Sequence, residues 1–137
     1  MKDAVSIPVI ANGDIVDAAA ARTALSLSGA DGVMIGRGAQ GRPWLLAQVC
    51  NELFGAPEPY IPSGIELVEM VQEHYLAMLT FYGTELGLRV ARKHLGWYMD
   101  EVATPAGLRR AVLTSRDEKE VLRLLVDALL PDREVAA

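Results

Sequence analysis

The sequence predicts a short α/β region followed by an all-α region. Two continuous apolar runs lie within residues 1–54, each ended by a glycine-containing turn and followed by an amphipathic stretch. Such runs with short connections to helices are typical of parallel strands, so this region has the pattern of a parallel sheet or a (β/α) barrel. Residues 65–137 show only helical periodicity, which predicts a small helical bundle.

The first apolar run, Ile7–Ala11, predicts a strand buried on both faces. The turn Asn12-Gly13-Asp14, here called the first glycine loop, ends it. A helix is predicted over residues 16–27, because a carboxylate of Asp14 or Asp17 can accept hydrogen bonds from its first turn. Gly29 can close this helix in the left-handed conformation.

The second apolar run, Gly32–Ile35, predicts another buried strand, ended by Gly36-Arg37-Gly38, the second glycine loop. Pro43 is pre-set for a first helical turn, so a helix is expected from there to about Phe54. Cys50 lies within that helix without an adjacent base, and we predict an inert buried thiol.

Both glycine loops follow a strand and precede a helix, and this position suits an anion. Glycines let backbone N–H groups approach a ligand closely, and the positive end of a helix favours negative charge. Arg37 adds a guanidinium with the geometry of a phosphate ligand. The sequence therefore predicts a phosphate site, with ordinary turn chemistry as the alternative.

Residues 55–64 are rich in proline and glycine and predict a linker between domains 1–54 and 65–137. After it, Ser63 can cap a helix, and Gly83 separates that helix from another over Thr84–Tyr98. The apolar face of the first of these helices is predicted to consist of Leu67, Met70, Val71, His74, Tyr75 and Met78.

Two further helices are predicted near the end of the sequence. Thr104 and Pro105 have the pattern of a cap and first-turn proline, opening a helix to about Leu113. The segment Ser115–Glu118 resembles a capping box before a last helix over residues 122–130, which Pro131 stops.

The charge distribution singles out one segment. The chain has a net charge of −5, yet residues 84–116 carry six basic and three acidic side chains. On the predicted helix, Arg89, Arg92 and Lys93, here called the basic face, lie on one side together with Gly96. This pattern indicates either a solvated helix face or a surface that binds a polyanion. In the second case, Gly96 leaves a gap in the basic face through which the backbone of the polyanion can approach. A separate face is predicted for packing and consists of Leu86, Val90, His94 and Trp97.

The remaining chemically distinctive side chains predict structure rather than catalysis. His74 and His94 have no spacing typical of a metal site and are expected to be packed. Trp44, Trp97 and Tyr98 are expected to anchor the core. The single cysteine and the lack of an export signal or a bilayer-spanning apolar run favour a cytoplasmic protein.

Three segments resemble one enzyme family. Ile7–Ile15 and Gly29–Ala39 are similar to the end of the flavin barrel of tRNA-dihydrouridine synthases. Ala91–Tyr98 resembles the helical C-terminal domain of the bacterial B-type enzymes. The two earlier motifs are shared in looser form by other FMN barrels, whereas their combination with Ala91–Tyr98 is specific to this family.

The resemblance implies the last two βα units of a (β/α)8 FMN barrel, followed by a tRNA-binding helical domain. The implied reaction reduces uridine to dihydrouridine in tRNA, with FMN reduced by NADPH as the hydride source and a cysteine as the acid. By resemblance, Asn12, Gly13 and Asp14 match one FMN-binding segment, and Gly36 and Arg37 match another at the flavin phosphate. The basic face of Arg89, Arg92 and Lys93 would contact the tRNA backbone.

The family's N-terminal region supplies six strands, the flavin-ring contacts and the catalytic cysteine, and this sequence does not contain it. Cys50 does not match the catalytic motif, so no catalytic residue is expected here and the chain is expected to be inactive alone. Two alternatives remain from the residues. One is a freestanding RNA-binding helical module, and the other is the tail of a different FMN- or phosphate-binding barrel.

Overall fold

The computed structural model describes residues 2–130, which are mostly helical and contain a small parallel sheet. The chain divides into two compact units, unit 1 over residues 1–61 and unit 2 over residues 62–137. The division falls inside the 55–64 segment. Pro131, the predicted stop of the last helix, lies outside the described residues.

Unit 1 alternates strands and helices. Its regular elements are β1 (Ile10–Asn12), α1 (Ala18–Ser28), β2 (Gly32–Met34) and α2 (Leu45–Phe54), with 3₁₀ turns at Lys2–Ala4 and Arg37–Ala39. The strands pair in parallel, with Ile10 opposite Gly32 and Asn12 opposite Met34. Both strands are shorter than the apolar runs that predict them.

The ends of α1 follow the local chemistry of the sequence. Asp17, and not Asp14, caps the helix, because its carboxylate accepts a 2.7 Å hydrogen bond from the Ala20 N–H. Gly29 closes it with φ of 65°, a left-handed conformation that costs a glycine little. Helix α2 begins after the predicted Pro43, with Trp44 as its N-cap residue.

The two strands are covered on one face only, which corrects the prediction of strands buried on both faces. Val33 and Ile35 pack against a core formed by α1, α2 and the preceding loop. On the opposite side Ile10 is 56% exposed and Met34 46% exposed, and Ile7 before β1 is 66% exposed. The fully buried members of the core are Ile15, Ala18, Ala21, Leu45 and Val49. The residues described in unit 1 therefore form a half-covered sheet.

Two side chains of unit 1 are less buried than predicted. Cys50 is exposed, so the prediction of a buried thiol is wrong. Helix α2 buries Leu45 and Val49, and the next residue along is turned about 100° away from that face. Trp44 is half-buried at the start of the same helix and not a fully buried core residue.

In its described part, unit 2 contains α3 (Gly64–Tyr82), α4 (Thr84–Glu101), α5 (Ala106–Thr114) and α6 (Glu118–Leu129). Gly83 has φ of 75° and lets the chain reverse between α3 and α4. Helix α3 packs along α4 and against α6, and α5 packs against α6. The core contributed by α3 includes the predicted Leu67, Val71, Tyr75 and Met78, and also Val68 and Leu79, while Met70 and His74 are half-buried.

Helix α4 packs through a different face from the one its larger apolar residues predict. Its buried positions include Gly87, Ala91 and Leu95, spaced one turn apart. Leu86 is 49% exposed, and Val90, His94 and Trp97 are only half-buried. Small residues allow α4 to approach α3 closely: a Cβ on Gly87 would lie 2.8 Å from Leu79 Cα. The closeness of α3 and α4, and not the hydrophobicity of the side chains, therefore determines which face of α4 is buried.

The caps of α5 and α6 also differ from the predicted pattern. Pro105 is the N-cap residue of α5, and the Thr104 hydroxyl instead donates a 2.6 Å hydrogen bond to the Ala128 carbonyl. Asp117 caps α6 by accepting from the N–H groups of Lys119 and Glu120. Ser115 donates to the Glu120 carboxylate at 2.6 Å, and α6 begins at Glu118, four residues before the predicted start.

We predict that Gly87→Ala destabilises unit 2. Alanine favours helix by up to about 1 kcal/mol over glycine, but its Cβ would overlap the backbone of α3, and overpacking costs roughly 1–3 kcal/mol. The net change is expected to lower the free energy of unfolding by about 1–2 kcal/mol, measured by urea denaturation followed by circular dichroism.

The matched control is Gly107→Ala in α5. A Cβ at Gly107 meets no atom within 4 Å, so this variant is expected to be as stable as the parent chain or more stable. Equal stability of the two variants would contradict close packing of α3 on α4 at Gly87.

Candidate functional site

The parallel pairing of β1 and β2 places the two glycine loops at the same edge of the sheet. The carboxyl ends of adjacent parallel strands lie side by side, and each loop follows one of them. An ion pair joins the loops: Nη2 of Arg37 lies 2.8 Å from Oδ1 of Asp14. The structure therefore brings together the predicted residues Asn12 to Asp14 with Gly36 and Arg37.

The backbone of both loops depends on glycine. Gly13 has φ of 141°, in a region that side chains disfavour, and Asp14 follows at φ of 47°. In the second loop, a Cβ on Gly38 would overlap the Ile15 carbonyl oxygen. The second loop thus lies against the main chain directly after the first loop, and a larger residue at Gly38 would push the two segments apart.

Arg42 holds this arrangement through hydrogen bonds to the main chain on both sides. Its Nη2 donates to the Val16 carbonyl at 2.8 Å, and its Nε donates to the Gly38 carbonyl at 3.2 Å. One guanidinium therefore links the chain after the first glycine loop to the second loop. No motif in the sequence marks the residue, because its partners are main-chain carbonyls that become neighbours only on folding.

The chemistry of the paired loops suits an oxyanion. Arg37 is 83% exposed and Asp14 89% exposed, so their ion pair is solvated and contributes little to stability. A guanidinium carries five N–H donors, and those not used by Asp14 remain for an anion such as a phosphate group. The donor set and the glycine backbone fit such a group, and Arg37 would exchange its contact with Asp14 for a contact with the phosphate.

In unit 2, the structure places the basic face on α4. Arg89 and Lys93 are exposed and Arg92 is half-buried. Arg89 and Lys93 also border a depression of about 350 Å³ whose other lining residues are Leu86, Val90 and His94. The residues predicted to pack therefore lie beside the cations at the surface.

The predicted gap at Gly96 is filled, so that expectation is wrong. Gly96 is buried, and a Cβ on it would lie 3.2 Å from Nη2 of Arg109. Nη1 of Arg109 donates to the Gly96 carbonyl at 2.9 Å and to Oδ1 of Asp100 at 2.6 Å. A side chain from α5 covers this position, and a pattern within α4 alone cannot reveal that.

Two histidines meet beside the basic face. The ring centroids of His74 and His94 are 5.1 Å apart, and the Trp97 ring lies 5.0 Å from His94. The Tyr98 hydroxyl is 3.1 Å from Nδ1 of His74. Burial lowers the pKa of His74, and the nearby charge of His94 lowers it further; burial also lowers the pKa of His94. Both rings are therefore favoured in their neutral forms, and Tyr98 is buried as predicted.

Within residues 2–130, no group of three or more His, Cys, Asp or Glu side chains is arranged to hold a metal ion. No helix in that part of the chain has the length and apolarity needed to cross a membrane.

Comparison with known proteins identifies the family. The model of the dihydrouridine synthase family matches residues 1–132. The chain belongs to the dihydrouridine synthase family.

Relatives in several bacteria agree with this assignment. A probable tRNA-dihydrouridine synthase of Rhodobacter capsulatus is 54% identical over 136 residues, covering 99% of this chain and 41% of the relative. One of Rickettsia conorii is 48% identical over 85% of this chain and 35% of the relative. The tRNA-dihydrouridine synthase B of Proteus vulgaris is 43% identical over 91% of this chain and 39% of the relative. The chain thus spans about two fifths of the length of these relatives.

We predict that acid weakens the fold of this chain through its two histidines. Their folded-state pKa values are lowered, so the unfolded chain binds protons at a pH where the folded chain does not. The free energy of unfolding is therefore largest above about pH 6.5 and falls as the pH drops below that value.

The measurement is urea denaturation at about pH 7.5 and about pH 5.5. His74 and His94 are the two histidines of the sequence, so the double variant His74→Gln/His94→Gln removes all imidazoles. Its stability is expected to change less over this interval than that of the parent chain. If the free energy of unfolding changes equally in both proteins, groups other than the two histidines cause the acid sensitivity.

Proposed function

We propose that this chain is the C-terminal portion of a flavin-dependent tRNA-dihydrouridine synthase, which reduces uridine to dihydrouridine in cytoplasmic tRNA. The observation that carries the proposal is the convergence of the two glycine loops, joined by Arg37 and Asp14 at 2.8 Å. Family membership separates it from the alternative of an unrelated FMN barrel.

In this proposal, unit 1 contributes to the phosphate end of an FMN site. Arg37 binds the phosphate through its guanidinium, while Gly13 and Gly36 bring main-chain groups close to it. Asn12 and Asp14 complete the segment and orient it. FMN, reduced by NADPH, supplies the hydride when bound, and the chain's own residues hold one end of the cofactor.

The exposed face of the sheet supports the proposal that this chain is part of a larger protein. Ile10 and Met34 leave apolar surface in water, and burying such surface stabilises a fold by about 25 cal/mol per Å². Since two strands cannot close a barrel, we propose that the missing N-terminal strands of the (β/α)8 barrel cover this face. The relatives' additional length is sufficient to supply them.

Unit 2 has a separate role in the proposal, which is to bind the tRNA backbone through Arg89, Arg92 and Lys93. A uracil base must leave the stack to reach a flavin, so the enzyme needs a surface outside the barrel that holds the RNA. Cations on one helix face supply affinity without reading sequence.

A second candidate function, RNA binding without catalysis, is favoured by the separate core of unit 2.

We predict that the 137-residue chain alone neither retains stoichiometric FMN nor forms dihydrouridine. A chimera that joins it to the N-terminal portion of the Rhodobacter capsulatus relative, 54% identical over the shared part, is expected to do both. Flavin absorbance of the purified protein and mass spectrometry of treated tRNA measure the two properties.

Within the chimera, Arg37→Ala is expected to reduce FMN retention, with Arg22→Ala as the control. Arg22 is an exposed arginine of α1 away from the glycine loops in sequence. FMN binding by the isolated chain would contradict the prediction that the chain needs the N-terminal portion, and unchanged retention in the Arg37 variant would contradict the assigned flavin site.

We predict that the triple variant Arg89→Ala/Arg92→Ala/Lys93→Ala lowers tRNA affinity about tenfold or more at about 0.1 M salt. The salt dependence of the logarithm of the binding constant should also become shallower by about 2–3, because each phosphate contact releases counterions. Filter binding across a salt series measures both quantities.

The control is Arg22→Ala/Arg110→Ala/Arg123→Ala, which removes the same charge from exposed positions on three other helices. Its affinity is expected to fall much less. Equal losses in the two triple variants would show that net charge, and not the basic face, determines binding.

A further inference from the structure

One depression of unit 2 is lined by three arginines from two different elements. Arg89 and Arg92 come from α4, and Arg116 comes from the connection between α5 and α6. Glu85 and Leu88 complete the lining, and the depression has a volume of about 380 Å³. We call it the arginine depression. The pattern along α4 indicates two of its cations, and folding adds the third.

The three guanidinium groups have no acidic partner in the part of the chain that the structure describes. By contrast, Arg37 pairs with Asp14, Arg109 with Asp100, and Arg123 with Asp127. Asp117, next to Arg116 in sequence, is engaged instead with the N–H groups of Lys119 and Glu120. The arginine depression therefore holds unneutralised positive charge, opposed by the one carboxylate of Glu85.

Like charges that line one depression without ion-pair partners raise each other's electrostatic energy, so the arrangement does not stabilise the fold by itself. An oxyanion relieves this repulsion and accepts hydrogen bonds from several guanidinium groups at once. Arg116 also lies directly before the N-cap of α6, in a connection held by the Ser115 to Glu120 hydrogen bond of 2.6 Å. Its backbone is thus fixed relative to α6.

We propose that Arg116 is a further tRNA-binding residue, and that it forms with Arg89 and Arg92 a clamp for one backbone phosphate. This inference rests on the proposed function of unit 2 as a tRNA-binding domain. Lys93 lies outside the clamp, because it borders the neighbouring depression with Leu86 and His94. The basic face is therefore divided: Arg92 faces the clamp, Lys93 faces the neighbouring depression, and Arg89 borders both.

The test compares Arg116→Ala with Arg110→Ala in the full 137-residue chain. Both are exposed arginines, but Arg110 does not line the arginine depression. Arg116→Ala is expected to lower tRNA affinity about three- to tenfold at about 0.1 M salt and to make the salt dependence shallower by about 1, whereas Arg110→Ala has a smaller effect. Circular dichroism checks that both variants fold.

A double-mutant cycle tests whether Arg92 and Arg116 bind the same phosphate. If they do, Arg92→Ala/Arg116→Ala loses less affinity than the product of the single losses, because the first substitution already disrupts the clamp. If the double variant instead loses affinity by the product of the two single losses, Arg92 and Arg116 do not bind the same phosphate and the clamp is wrong.

The remaining outcomes separate this inference from the proposed function. If the parent chain binds tRNA and Arg116→Ala behaves like Arg110→Ala, the clamp is wrong while the tRNA-binding domain stands. If inorganic phosphate binds the parent chain tightly and Arg116→Ala leaves tRNA affinity unchanged, the depression binds a small anion and the clamp is again wrong. If the parent chain binds no tRNA at low salt, both proposals fail.

Discussion

The parallel pairing of β1 with β2 is the constraint on which the candidate flavin site depends. Asp31 extends this pairing before the second strand: its N–H donates to the Val9 carbonyl at 2.8 Å, and its carboxylate accepts from the Val9 N–H at 2.7 Å. The hydrogen bond from Lys2, followed by that from Val9, lowers the pKa of Asp31. With the strands fixed in this register, the loops after them lie side by side, and Gly38 lets the second loop approach the main chain at Ile15, directly after the first loop.

The cations of the described residues lie under two physical conditions, because some are hydrogen-bonded within the fold and others are not. In unit 1, Arg42 donates to two main-chain carbonyls, so its charge is used to hold loops together. Arg109 has the same kind of role in unit 2, where it covers Gly96 and pairs with Asp100. The cations of the basic face have no such internal partners among the described residues. The same residue type therefore builds the structure at some positions and is free for a ligand at others.

The sequence predicts some of the features that depend on short-range chemistry, although the caps of α5 and α6 differ from the predicted pattern. An aspartate cap on α1, predicted at Asp14 or Asp17 and found at Asp17, the Gly29 closure and the helix break at Gly83 agree with the structure, because each depends on a few adjacent residues. The packing face of α4 is predicted wrongly, since Gly87 and Ala91 are chosen by the closeness of α3 and not by hydrophobicity. Cys50 is exposed for a similar reason: one turn of a short helix offers several apolar residues, and only the fold decides which are covered.

The candidate sites show the same limit. The two glycine loops can be recognised from sequence because each carries its own glycines and lies directly after an apolar run. Arg42 and Arg116 cannot be recognised in this way, because they are distinguished by neighbours that only folding brings to them. Arg42 binds main-chain carbonyls, and Arg116 lines a depression with two arginines of another helix. A charge pattern along one helix therefore underestimates a binding surface that several elements share. For the same reason, a phosphate-binding role for α4 alone would leave unexplained why a third unpartnered arginine comes to line the same depression.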